Sequence, residues 1–196
     1  MRYLSKINRG AILTAGVILI VIGYLITTAI IQNNEKPMIR QVCETYLKQE
    51  VAFNMLPLEY RKEKPDMGDT ALKSYLAEMK KSITAFYPDN EQYYKYIIET
   101  LTSDLTNQAK GIDVVYQYEK TILKFKEISF EGDTANVTIT CSSTIEAKNT
   151  ATGSSIKNKT TAETSDSIIL QKINGQWKVV YSSINRPTRE YAVTKY

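Results

Sequence analysis

The chain has 196 residues, a moderate charged fraction of 23% and no histidine. Three of its 25 basic residues, Arg2, Lys6 and Arg9, precede an apolar stretch, and the remainder nearly balance the 21 acidic residues. This distribution excludes a disordered chain and a basic nucleic-acid-binding surface, and the absence of histidine excludes imidazole catalysis and imidazole metal sites.

Residues 10–31 form an uncharged apolar stretch that predicts a transmembrane anchor. A helix of this length spans about 33 Å, and the hydrocarbon core of a bilayer is about 30 Å thick. The preceding positive charges predict that residues 1–9 lie in the cytoplasm and residues 32–196 outside it, with the extracytoplasmic domain over 32–184. The apolar stretch has three less favoured interpretations: a cleaved signal peptide, a lipoprotein signal and a pilin helix.

The extracytoplasmic domain begins with three amphipathic helical patterns. Apolar residues recur at three- and four-residue steps within 39–51, 72–86 and 94–105. Pro37 is expected to open the first helix, and Gly111 is expected to close the third as its C′ residue.

After Gly111 the apolar period changes to two, which predicts a four-stranded antiparallel sheet. The first strand, within 112–130, changes parity twice, so we expect bulges that curve it. The second strand places Ala135, Val137, Ile139, Cys141 and Ile145 on one face.

A hairpin with a type I′ turn at Asn174-Gly175 is predicted to end the sheet. The register that this turn sets pairs Ile173 with Gln176 and Lys172 with Trp177. It makes Trp177, the only tryptophan, a core residue. Residues 185–196 are a C-terminal tail.

An α+β domain with three helices on a curved four-stranded sheet resembles the nuclear transport factor two-like superfamily, also called the cystatin-like cone fold. The stripes at 39–51, 72–86 and 94–105, the bent strand and the closing sequence INGQWKVVYSS carry the resemblance over residues 37–184. The layout is also similar to that of the inner-membrane scaffold of bacterial type IV secretion and conjugation machines. The resemblance implies either an assembly module or a cone-shaped cavity that holds a small molecule.

Candidate residues for such a cavity lie on the first strand and the last hairpin. They are Asp113, Tyr116, Tyr118, Glu119 and Trp177. A carboxylate beside a phenol would suit isomerase-like chemistry. Asp166 is a further carboxylate candidate, although strand-end carboxylates are usually solvated.

The two cysteines, Cys43 and Cys141, both lie on apolar faces. They could form a disulfide outside the cytoplasm, and two buried free thiols are the simpler interpretation. Two cysteines alone do not make a metal site. A tyrosine-rich run at 93–96 is either the solvent-exposed side of a helix or a surface that contacts a protein or ligand.

The sequence therefore favours a single-pass membrane protein whose outer domain contacts protein partners or itself. We expect no enzyme activity, cofactor, metal or nucleic acid. The alternative is a small-molecule-binding or isomerase-like protein that uses the cone cavity.

Overall fold

A computed structural model of the chain describes seven regular elements. It describes residues 9–57, 60, 70–88, 92–112, 114–148 and 157–185. Three helices precede four strands: α1 Arg9–Phe53, α2 Thr70–Thr84, α3 Gln92–Ala109, β1 Val114–Glu131, β2 Thr134–Lys148, β3 Lys157–Ile173 and β4 Gln176–Ser183. The predicted α+β class, with an apolar N-terminal helix and a four-stranded antiparallel sheet, is confirmed.

The first helix runs through Pro37 without a break. The prediction that a separate helix begins at Pro37 is therefore corrected. A proline inside a helix removes one hydrogen bond to the carbonyl four residues earlier, here that of Asn33. Both residues are exposed, so water can bond to that carbonyl, and the helix continues.

The chain divides into two compact units, Met1–Met38 and Ile39–Tyr196. The first contains the apolar stretch, and the second contains the sheet and the remaining helical residues. The domain limits predicted from the sequence, 10–31, 32–184 and 185–196, stay predictions.

A Schellman motif ends α3, as the glycine at position 111 predicts. Gly111 has a φ of 75°. Its N–H donates to the carbonyl of Gln108 at 3.0 Å, and the N–H of Ile112 donates to Asn107 at 2.8 Å. These two bonds satisfy carbonyls that the end of a helix leaves without partners, and the positive φ suits glycine.

Gln108 joins α3 to the end of α1 through its buried side-chain amide. Its Nε2 donates to the carbonyl of Asn54 at 2.9 Å, and its Oε1 accepts the N–H of Leu56 at 3.1 Å. One glutamine thus pairs two backbone groups that would otherwise be buried without hydrogen bonds.

The four strands form one open antiparallel sheet in the order β1-β2-β3-β4. The alternation in β2 is confirmed, because its predicted core face is buried along its whole length. Most of that face packs with the apolar sides of the helices in one cluster, which includes Leu105, Ile139, Ile168 and Leu170, and Ile145 belongs to a second, smaller cluster.

β1 has three irregularities, which confirms that it is bulged and adds one to the two that the parity changes predict. The register shifts fall between Val115 and Gln117, between Ile122 and Lys124, and between Phe125 and Glu127. The residues that the register with β2 skips at these shifts are Tyr116, Leu123 and Lys126. Each extra residue turns the side chains that follow toward the other face, so the parity of the sequence changes.

The closing hairpin has the predicted register. Ile173 pairs with Gln176 and Lys172 with Trp177, and Asn174 and Gly175 have φ values of 50° and 78°. Two positive φ values are the mark of a type I′ turn, which matches the twist of the strands. Trp177 is buried, and its ring meets that of Phe130 edge to face at 6.2 Å.

Candidate functional site

The first unit contains a strongly apolar stretch of helix. Its large apolar side chains are between 46% and 74% exposed: Val17, Ile18, Leu19, Ile20, Val21, Ile22, Tyr24, Leu25, Ile26, Ile30 and Ile31. Such a surface is unstable in water because burying each aliphatic side chain is worth about 1.5–3 kcal/mol. Among the described residues, α1 is the one helix long and apolar enough to cross a membrane.

In the second unit, a cleft of about 270 Å³ lies between α1, α3 and the end of β4. We call it the α3–β4 cleft. It is lined by Tyr46, Glu50, Tyr96, Ile97, Thr100, Leu101, Ser182, Ser183 and Ile184. Tyr96 is 62% exposed.

Hydroxyl groups form a buried network at this cleft. The Tyr46 hydroxyl lies 2.7 Å from that of Tyr87 and 2.7 Å from that of Ser182. The rings of Tyr46 and Tyr87 also meet edge to face, with centroids 6.0 Å apart. The network therefore joins α1, the segment after α2, and β4 around one wall of the cleft.

A fully buried ion pair lies on the helix-facing side of the sheet. Lys120 Nζ of β1 is 2.7 Å from Asp166 Oδ2 of β3, and neither side chain is exposed to solvent. The ammonium also donates to Thr164 Oγ1 at 3.1 Å and to the carbonyl of Asn185 at 2.6 Å. A lysine has three N–H donors, so each one has an acceptor here.

The carboxylate of Asp166 is equally well bonded. It accepts the backbone N–H of Asn185 at 2.8 Å and the hydroxyl of Thr164 at 3.4 Å. Burying two charges costs several kcal/mol per ion unless their remaining hydrogen-bonding groups are satisfied, as they are here.

Cys141 lies beside this ion pair and is a free thiol, as is the buried Cys43. Burial, the hydrogen bond with Asp166 and the negative charge of that residue raise the pKa of Cys141 from 9.0 to about 12, partly offset by Lys120. At neutral pH the thiol is therefore protonated, and it is a poor nucleophile because the thiolate is the reactive form.

The outer edge of β4 is bonded to the segment that follows α2. The N–H of Val179 donates to the carbonyl of Phe86 at 2.7 Å, and Lys178 Nζ donates to that of Ala85 at 2.6 Å. A second cleft of about 780 Å³ opens beside these contacts, with Lys81, Pro88 and Asn174 among its lining residues.

The structure does not bring the predicted cavity residues together in one pocket. Tyr118 is buried in a small cluster with Ile145, whereas Trp177 belongs to the main core. Tyr116 is 39% exposed at a bulge, and Glu119 is exposed and accepts a hydrogen bond from Gln117. Asp113 lies outside the described residues.

The sequence does not predict the buried ion pair of Lys120 or the hydrogen bonds of the Tyr46 hydroxyl. Tyr46 belongs to the apolar stripe of α1, and a stripe does not show that its hydroxyl is bonded. The sequence favours a solvated carboxylate at Asp166, whereas the structure shows it fully buried. In the described ranges, no three Cys, Asp or Glu side chains cluster closely enough to hold a metal ion.

Comparisons with known proteins add little beyond the structure itself. No family model and no curated protein matches the sequence. Among solved structures, the intermembrane-space region of the chloroplast protein ARC6 is similar, with 16% identity and a TM-score of 0.34. That match covers 61% of this chain and 97% of the other.

Proposed function

We propose that this chain is a membrane-anchored interaction or assembly protein whose domain lies outside the cytoplasm. The observation that carries the proposal is the uncharged, solvent-exposed apolar stretch of α1, which needs a bilayer around it. The basic residues Arg2, Lys6 and Arg9 precede this stretch, and by the positive-inside rule they support a cytoplasmic N-terminus.

The α3–β4 cleft is the contact surface that we propose for a protein partner or a second copy. Tyr96 offers a large, partly apolar side chain at its margin, and Ile97, Leu101 and Ile184 supply apolar walls. Tyrosine is enriched at protein interfaces because it buries a large area for little conformational entropy. The hydroxyl network below the cleft holds these walls in place before a partner binds.

The nuclear transport factor two-like cone fold and a role in a secretion or conjugation machine remain part of this proposal. A single membrane helix at the N-terminus and an α+β domain after it support the likeness to the inner-membrane scaffold of such machines. This likeness is one of layout, and no sequence motif carries it.

Site-specific crosslinking in intact membranes tests the contact surface. A photoreactive amino acid replaces Tyr96 in the full chain, and the matched control replaces Glu163, an exposed residue on the outward face of β3. We expect discrete crosslinked products from position 96 and few from position 163. Equal yields at both positions, or none at either, would contradict the proposed surface.

Reporter fusions test the orientation separately. An alkaline phosphatase domain fused after the last residue should be active, because this enzyme folds only outside the cytoplasm. A cytoplasm-dependent fluorescent reporter at the same position should stay dark. The reverse pattern would overturn the orientation and leave the contact surface untouched.

Small-molecule binding is a second candidate, because the α3–β4 cleft contains a phenol, Tyr46, and a carboxylate, Glu50, between apolar walls. Its volume of about 270 Å³ is close to the lower end of ordinary ligand pockets. Native mass spectrometry of the protein released from detergent micelles would show a co-purified molecule. Its loss in a Leu101→Trp variant would locate it in the cleft.

A further inference from the structure

The chain that follows β4 is held at Asn185 by three hydrogen bonds. Its N–H donates to Asp166 Oδ1 at 2.8 Å, and its carbonyl accepts from Lys120 Nζ at 2.6 Å. Its side-chain Nδ2 donates to the carbonyl of Ser165 at 2.5 Å. Both backbone groups of one exposed residue thus bond to a fully buried ion pair.

The three residues before Asn185 form one wall of the α3–β4 cleft. Ser182, Ser183 and Ile184 line it, and Ser182 also bonds to the Tyr46 hydroxyl. This wall is therefore fixed at two points, by Tyr46 at one end and by the ion pair just beyond the other. β4 pairs with β3 only as far as Ser183, so the ion pair acts where the sheet no longer holds the chain.

We propose that the Lys120–Asp166 ion pair is a positioning device, which fixes Asn185 and thereby sets the shape of the α3–β4 cleft. Replacing a buried ion pair with apolar residues of similar volume is often neutral or stabilising, so net stability alone does not account for this pair. Here each charge bonds to a different backbone group of one residue, so the pair defines the position of that residue. The link from this geometry to partner binding rests on the proposed function.

Hydrogen exchange of the full-length protein in detergent micelles tests the device without any partner. Lys120→Met removes the ammonium. Asn185→Pro removes the N–H that Asp166 accepts and the side-chain bond to Ser165, and it keeps both charged side chains of the ion pair. The control is Lys124→Met, which removes an exposed lysine from the same strand. We expect amide exchange at residues 182–184 to rise at least tenfold in both test variants and not in the control.

The outcomes separate a positioning role from a stabilising one. An equal rise over the whole sheet in both test variants, or no rise at 182–184 in Asn185→Pro, would overturn the proposal. If Lys120→Met unfolds the domain, the result with Asn185→Pro decides, because that variant keeps both charged side chains of the ion pair.

A second measurement connects the device to binding. Crosslinking from position 96 should fall at least fivefold in Asn185→Pro and stay unchanged in Lys124→Met. If exchange rises locally while no variant forms crosslinks at all, the proposed function fails and the positioning role stands. If crosslinking is strong and unaffected by Asn185→Pro, the cleft binds without this device, and its role in binding is refuted.

Discussion

The hydroxyl oxygens of Tyr46 and Tyr87 lie 2.7 Å apart, although 41 residues separate them along the chain. Tyr46 is on α1, and Tyr87 follows α2 and lies close to β4. The contact, together with the bond from Tyr46 to Ser182, ties three parts of the second unit at one buried point.

A Tyr46→Phe substitution should therefore destabilise the domain by about 1–3 kcal/mol, because two hydroxyls lose a buried partner. Denaturant unfolding followed by the fluorescence of Trp177 measures this change, since that residue is the only tryptophan. Tyr96→Phe is the matched control at an exposed position and should change the free energy of unfolding by less than about 0.5 kcal/mol. Equal effects of the two substitutions would show that the buried network adds nothing to the free energy of unfolding.

Two leucines test the assignment of the core. Leu105 is fully buried, whereas Leu123 lies at a bulge of β1 and is 54% exposed. Leu105→Ala should cost about 2–5 kcal/mol, because it leaves a cavity among packed side chains. Leu123→Ala should cost about 0.5 kcal/mol or less. Similar midpoints in denaturant for the two variants would contradict the packing.

The thiol of Cys141 gives the stability of the domain a dependence on alkaline pH. Its pKa is about 12 in the folded state against an ordinary 9.0, so the unfolded state loses this proton first as the pH rises. The contribution of Cys141 to the free energy of unfolding is therefore fully present below pH 9 and is lost as the pH rises from 9 toward 12. The difference in unfolding free energy between wild type and Cys141→Ala should shrink over this range.

Subtraction of the variant removes the contributions of other groups that titrate in the same range. A difference that stays constant between pH 8 and pH 11 would mean that Cys141 ionises alike in both states.

The apolar stretch of α1 should be necessary for membrane association. Leu19→Arg with Ile22→Arg adds two charges near its centre, each of which costs about 2.5–3.5 kcal/mol for insertion. We expect the double variant to leave the membrane fraction after an alkaline carbonate wash. The control is Thr121→Arg with Glu163→Arg, two exposed positions in the sheet, which should remain membrane-bound.

The sequence predicts the parts of this fold that depend on local chemistry. Alternation identifies the buried face of β2, Gly111 marks the end of α3, and Asn174-Gly175 sets the register of the hairpin. In each case, a neighbour in the chain supplies the constraint, so the pattern can be recognised without any tertiary information.

The sequence does not predict contacts between residues that are distant along the chain. Lys120 and Asp166 lie on strands that do not pair with each other, with β2 between them, and neither strand pattern marks its charge as buried. The position of the first bulge is not predicted either: Tyr116 and Tyr118 are both candidate cavity residues, whereas the structure exposes Tyr116 at the bulge and buries Tyr118. Proline favours the first turn of a helix, but Pro37 lies in the interior of α1, which begins at Arg9.

The irregular course of β1 has a consequence for molecules crowded in a membrane. Anchored copies are confined to a plane, where their local concentration is high and strands left open at a sheet margin tend to join. Displaced residues at Tyr116, Leu123 and Lys126 interrupt the even spacing of amide groups that a joining strand would need. The exposed lysines Lys124 and Lys126 add mutual repulsion. The bulged margin of β1 is therefore a poor template for pairing with the same strand of a neighbouring copy.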